Sequence, residues 1–167
     1  MDYGLALVQF LHILGGAAWL GASAFASLVL LPFVFGQPIE RQRDLVRTVI
    51  LGPERLLIGA ALLAGVLGVV RGTVFGPIRS IDALSSQYGI VWLAAIAVTV
   101  AIFAVGGLIT GPAARRLAGD DALWAVPTEA RVAAGRADTV RRLRLGFALE
   151  LSGIVFVLAL MVVLSSL

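Results

Sequence analysis

Four long apolar stretches dominate this chain, and they restrict it to one kind of solvent. From Tyr3 to Ile39 no residue is charged. About 20 apolar residues span the hydrocarbon core of a bilayer, so Leu5 to Leu31 is ample, with Pro32 near the exit. The second stretch, Leu56 to Val70, is short and is expected to run past Arg71 toward Phe75, which puts Arg71 at or just inside the interface. Gly52-Pro53 opens it, because proline is tolerated in the first turn of a helix. The third is uncharged from Ala83 to Ala114, with Gly111-Pro112 as its stop, and the fourth runs from Leu145 to Leu167 broken only by Glu150. Charged residues make up 14% of the chain and hydrophobic ones 60%, whereas a soluble domain carries about a quarter charged. Backbone inside hydrocarbon must bond to itself, so the crossings are helices. The sequence therefore predicts an all-α membrane protein, a single four-transmembrane-helix bundle over 1–167, with helices at about 4–32, 53–75, 86–111 and 143–166.

Every basic side chain is arginine, and their distribution sets the expected orientation. The first linker holds Arg41, Arg43 and Arg47, with Arg55 at its edge. The third holds Arg115, Arg116, Arg131, Arg136, Arg141, Arg142 and Arg144, against only Arg71 and Arg79 in the second. Two arginine-rich cytoplasmic linkers and both termini outside follow. The net charge of +3 thus reflects topology, and no nucleic-acid partner is implied. Arginine without lysine, in an Ala/Gly/Leu/Val-rich chain, looks like a GC-rich bacterial source and hence a multi-pass protein of the inner (plasma) membrane. A secretory signal wants a positive start, and Met1-Asp2 does not supply one, so an uncleaved first helix is expected. Pro38 to Ile50, and Thr128 to Arg144 after Pro127, read as basic helical segments that attract anionic lipid headgroups.

Candidate chemistry is sparse. Without cysteine there are no disulfides, thiolate sites or cysteine nucleophiles. His12, the only histidine, lies ~10 Å into the first apolar segment, where an ionisable residue is a functional candidate. Gly15, Gly16 and Trp19 share its helix face, followed by Ser23 and Ser27, while Leu11, Leu14 and Leu20 lie elsewhere; this predicts that His12 faces the bundle. A neutral imidazole there either ligates haem or a copper-like metal or hydrogen-bonds to another helix. Met161 is the thioether that could join it as a ligand, or it fills a gap in the core. Arg71 and Arg79 could meet haem propionates or snorkel at helix ends. Glu150 and Arg55 are expected to pair between the second and fourth helices; a proton-relay role for Glu150 would need more ionisable groups along the path than this sequence offers. Tyr88 and Trp92 read as an outer aromatic belt, and Trp19 as packed beside His12. No His-Glu-x-x-His, phosphate loop or G-x-S-x-G is present, so an enzyme is not indicated.

Leu11-His12-Ile13-Leu14-Gly15-Gly16-Ala17-Ala18-Trp19-Leu20-Gly21 resembles the first helix of copper-resistance D-type (CopD-like) membrane proteins and their small relatives. Ser86-Gln87-Tyr88-Gly89-Ile90-Val91-Trp92-Leu93 is similar to the Tyr-Gly step that opens a later helix of the same group. The resemblance covers about three of the four helices. It implies a helical bundle linked to copper uptake or tolerance, and a more distant group with a similar first helix binds haem in porphyrin oxidation. His12 and Trp19 are the positions that carry over. The sequence differs in lacking a third-helix lysine, further histidines and methionine clusters. Two functional expectations follow. One is a bundle binding haem b or copper through His12, Trp19, Arg71 and Met161. The other is a non-catalytic accessory or structural subunit of a larger respiratory or photosynthetic membrane complex.

Overall fold

The computed structural model describes residues 2–124 and 130–167, Ala130 by its backbone alone. Among these residues every regular element is helical and none is a strand. Four helices are long and apolar enough to cross a membrane: α1 (Tyr3–Phe35), α2 (Ile39–Thr73), α3 (Gln87–Gly119) and α4 (Arg131–Ser166). The chain is a multi-pass, all-α membrane protein. Its apolar side chains face outward where a soluble protein would hide them, as at Leu28, Leu56, Leu108 and Val162.

The helices run further than the apolar stretches alone indicate. The sequence places stops at Pro32 and Gly111-Pro112, yet α1 continues to Phe35 and α3 to Gly119. It places a start at Gly52-Pro53, yet α2 begins at Ile39 and passes through a turn there. Short π-helical turns precede all three prolines: Ala26–Leu30, Val46–Leu51 and Gly106–Thr110. The Leu31 N–H bonds the Ala26 carbonyl, and the Gly111 N–H bonds the Gly106 carbonyl. Proline offers no N–H and its ring crowds the carbonyl four residues back. Widening the preceding turn relieves that crowding without ending the helix. The expected start of the basic extension at Pro127-Thr128 lies outside the described residues.

The chain divides into two compact units. One comprises Ala22–Arg55 and Phe103–Leu151. It has an ordinary apolar core, with Val34, Val46, Leu117 and Leu143 fully buried and Ile50, Leu123 and Phe147 nearly so. Arginines finish this core rather than merely facing solvent. The last turn of α3 leaves carbonyls without helical donors. Arg47 Nε donates to Ala118 O at 2.8 Å, Arg43 Nε to the same oxygen at 3.2 Å, and the Trp124 indole to Leu117 O at 2.7 Å. Arg136 stacks over Trp124 and Arg144 over Phe35.

In this unit the expected Glu150–Arg55 pair is not formed. Thr110 donates its hydroxyl to Glu150 instead, and Glu54 pairs with Arg115 at 3.1 Å. The reason is steric. Gly146 leaves no side chain opposite Thr110, where an added Cβ would overlap the hydroxyl. With α3 and α4 that close, Glu150, one turn after Gly146, meets Thr110, while Arg55 is exposed.

The second unit comprises Met1–Gly21, Leu56–Ile102 and Ser152–Leu167. Its buried residues are mostly small or aromatic: Gly15, Ala61, Ala64, Gly72, Ala95, Trp19 and Trp92. Such residues let helix backbones approach closely, which is how helices associate where lipid removes the hydrophobic drive.

Candidate functional site

The site grows from a seam between α1 and α2. On α1, Gly15 and Trp19 are buried and His12 is half-buried, the inward face expected from the i, i+3, i+4 spacing. An added Cβ at Gly15 would come within 3.1 Å of Ala60 O and 3.2 Å of Ala64 N. The backbones are therefore in near contact, and a side chain there would press them a few tenths of an ångström apart. Gly68 performs the same task one turn along α2, where a Cβ would lie 3.0 Å from His12 Cε1. The imidazole fills the space that Gly68 leaves.

His12 Nδ1 lies 2.8 Å from the Ala64 carbonyl oxygen. A carbonyl only accepts, so Nδ1 carries the proton. In a neutral ring the lone pair then sits on Nε2. Metal-binding histidines are oriented in this way, with the remote N–H held by a backbone carbonyl. It is also a sufficient hydrogen bond for a histidine with no ligand at all.

Three residues before His12, Gln9 accepts a hydrogen bond from Arg71 Nε. Gln9 and His12 share a face of α1, and Gly68 and Arg71 share a face of α2, so the two contacts are adjacent rungs of one ladder. Arg71 thus meets a neutral partner, and its charge is not cancelled there. Arg79 bonds the nearby Gly76 carbonyl at 3.1 Å.

Trp92 departs from its expected place in an outer aromatic belt. It is buried, lies against Gly72 where an added Cβ would overlap the indole, and directs Nε1 at Gly68 O, 3.5 Å away. A glycine on α2 makes room for it, a feature of the pair that neither helix shows alone. Gln9, Ala64 and Gly68 are the site residues that the sequence reading missed. Gln9 was accessible by stepping three residues back from His12 as well as forward.

Trp19 is buried on the face of His12. Met161 is half-buried on α4. Among the described residues no group of three or more His, Cys, Asp or Glu gathers as a metal site. The chain matches no protein-family model, no curated protein and no solved structure.

Proposed function

We propose that the chain is a bacterial inner-membrane protein in which His12 Nε2 would hold a metal-bearing cofactor, haem b before copper. The observation that carries this reading is the 2.8 Å contact of Nδ1 with the Ala64 carbonyl. It fixes ring and tautomer and leaves the other nitrogen for a ligand. Haem is favoured because it supplies most of its iron's ligands itself, whereas a bare copper ion needs several soft or imidazole donors from the protein. With one histidine and no cysteine, this chain has few to give.

Arg71, whose hydrogen-bond partner among the described residues is neutral Gln9, is suited to a propionate carboxylate. Trp19 is buried on the His12 face of α1, and Met161 would be the thioether donor this chain could offer the same cofactor. Bound haem would supply one-electron redox chemistry at that point. The likeness of Leu11–Gly21 to CopD-like first helices supports a metal-linked role. The arginine distribution supports cytoplasmic first and third linkers, where exposed Arg41, Arg55 and Arg131 are free to meet anionic headgroups.

An absorption spectrum with metal analysis of detergent-purified protein tests the proposal. A haem band in the wild type, lost in His12→Ala and retained in Arg79→Gln, is expected. A colourless, metal-free preparation with tightly bound further subunits sinks it in favour of an accessory subunit. Gly16 and Gly59 favour that second reading, because an added Cβ at either meets nothing within 4 Å and such open glycines let a foreign helix dock.

A further inference from the structure

We infer that Glu150 is a proton-binding carboxyl inside the membrane-crossing part of α4. It is the only ionisable side chain from Leu145 to Leu167, and the part of α3 that it meets belongs to the uncharged stretch Ala83 to Ala114. Carboxylates in such segments are rare and mark ion, substrate or proton sites, and with no cation paired to it among the described residues this one is suited to binding a proton.

The surroundings bear this out group by group. On α3, Glu150 meets the Thr110 hydroxyl and the backbone at Gly106, where an added Cβ would lie 3.5 Å from Oε1. The nearest cation along α3, Arg115, is paired with Glu54 of α2 and folded against Gly111. On α4 itself Arg144 lies over the Phe35 ring, 5.5 Å from its centroid. From α1, the Ser27 hydroxyl reaches Phe147 O at 3.4 Å, and Arg55 of α2 is exposed. Among the described residues the carboxyl has a neutral hydroxyl as its polar partner and no ion pair.

The Thr110 hydroxyl supplies what either state of the carboxyl needs. An ionised carboxylate only accepts, whereas a protonated one also donates. A hydroxyl both donates and accepts, so the same contact serves the ionised form as a donor and the protonated form as an acceptor. The proton arrives from and returns to water, with no other bond changed.

The test uses the full chain in liposomes and dicyclohexylcarbodiimide, an apolar reagent that captures protonated carboxylic acids as stable N-acylureas. Peptide mass spectrometry should find the adduct on Glu150 at neutral pH, falling about tenfold per pH unit above the midpoint. Thr110→Val removes a donor to the ionised form, so its labelling should persist to higher pH. An infrared band of a protonated carboxyl, present in the wild type and absent in Glu150→Gln, is expected independently. No adduct on Glu150 in wild-type protein at neutral and mildly acid pH overturns the inference. Protection by sodium but not by choline also overturns it, since the bound species would then be a metal cation.

Discussion

The two units weight the same packing devices differently. In Ala22–Arg55 with Phe103–Leu151, large aliphatic side chains fill the interior, and Val34, Val46, Leu117 and Leu143 have no exposed surface. In Met1–Gly21 with Leu56–Ile102 and Ser152–Leu167, glycine and alanine bring backbones together, and a few large rings, Trp19, Trp92 and His12, occupy what the glycines vacate. The first strategy is that of a water-soluble core, where transfer of bulk from water is the driving force. The second suits lipid, where burying one more leucine against protein gains little over burying it in acyl chains. Arginine density follows the same division, with Arg43 and Arg47 capping the aliphatic unit at Ala118 O.

Truncating the aliphatic core should give the largest effect. Leu143→Ala removes a fully buried side chain and is expected to cost about 2–5 kcal/mol. Each unit has its own reporter, Trp124 in one, Trp19 and Trp92 in the other. Denaturation followed by fluorescence of single-tryptophan variants should show the Trp124 transition moving most. A shift confined to Trp92 would break the comparison.

A smaller effect is expected from overfilling the glycine-lined seam. Gly72→Ala places a methyl where the Trp92 indole now lies, and overpacking of this kind costs roughly 1–3 kcal/mol. The change should be read by Trp92 emission while Trp124 is little affected. Gly59→Ala, open around its added Cβ, is the control and should be silent by the same measure.

What the sequence makes legible follows from these two strategies. The four crossings are visible because hydropathy is additive along the chain and needs no partner. The inward face of α1 is visible for a similar reason, since Gly15, Trp19 and Ser23 follow helical periodicity, and all three are buried. The helix ends at Pro32 and Pro112 are not, because a proline is a stop only if the preceding turn cannot widen. Pairwise outcomes are the least legible. Glu150 meets Thr110 rather than Arg55 because Gly146 sets the approach of α3 and α4. Trp92 turns inward because Gly72 lies opposite. Each depends on which small residue of one helix faces which large residue of another, and that register is not written in either segment alone.

The arginine caps come next in size. Arg47→Met keeps the stem but removes the N–H that Ala118 O accepts, on a last-turn carbonyl near the negative end of α3. A loss of about 0.5–1 kcal/mol is expected, seen at Trp124, whose indole bonds the neighbouring Leu117 O. Arg43, bonded to the same Ala118 oxygen and to Asp121, covers part of the deficit. The Arg43→Met, Arg47→Met double variant should therefore lose more than the two single losses added.

The smallest effect is expected at the Arg115–Glu54 pair. Its side chains are 55% and 35% exposed, and ion pairs this open to water contribute about 0–1 kcal/mol. Arg115→Gln should barely move the denaturation midpoint, and raising the salt should erase the remaining difference, since exposed charges are screened within about 8 Å at physiological ionic strength. The variant also bears on Glu150. Arg115 folds against Gly111, one residue beyond Thr110, so removing its charge tests whether the carboxyl senses a cation it does not bond. If Arg115→Gln leaves the carbodiimide profile of Glu150 in place, the Thr110 hydroxyl defines the polar surroundings of that carboxyl. If the profile moves as far as in Thr110→Val, the guanidinium belongs to them as well, and the charged caps of this unit reach further into its core than the packing implies.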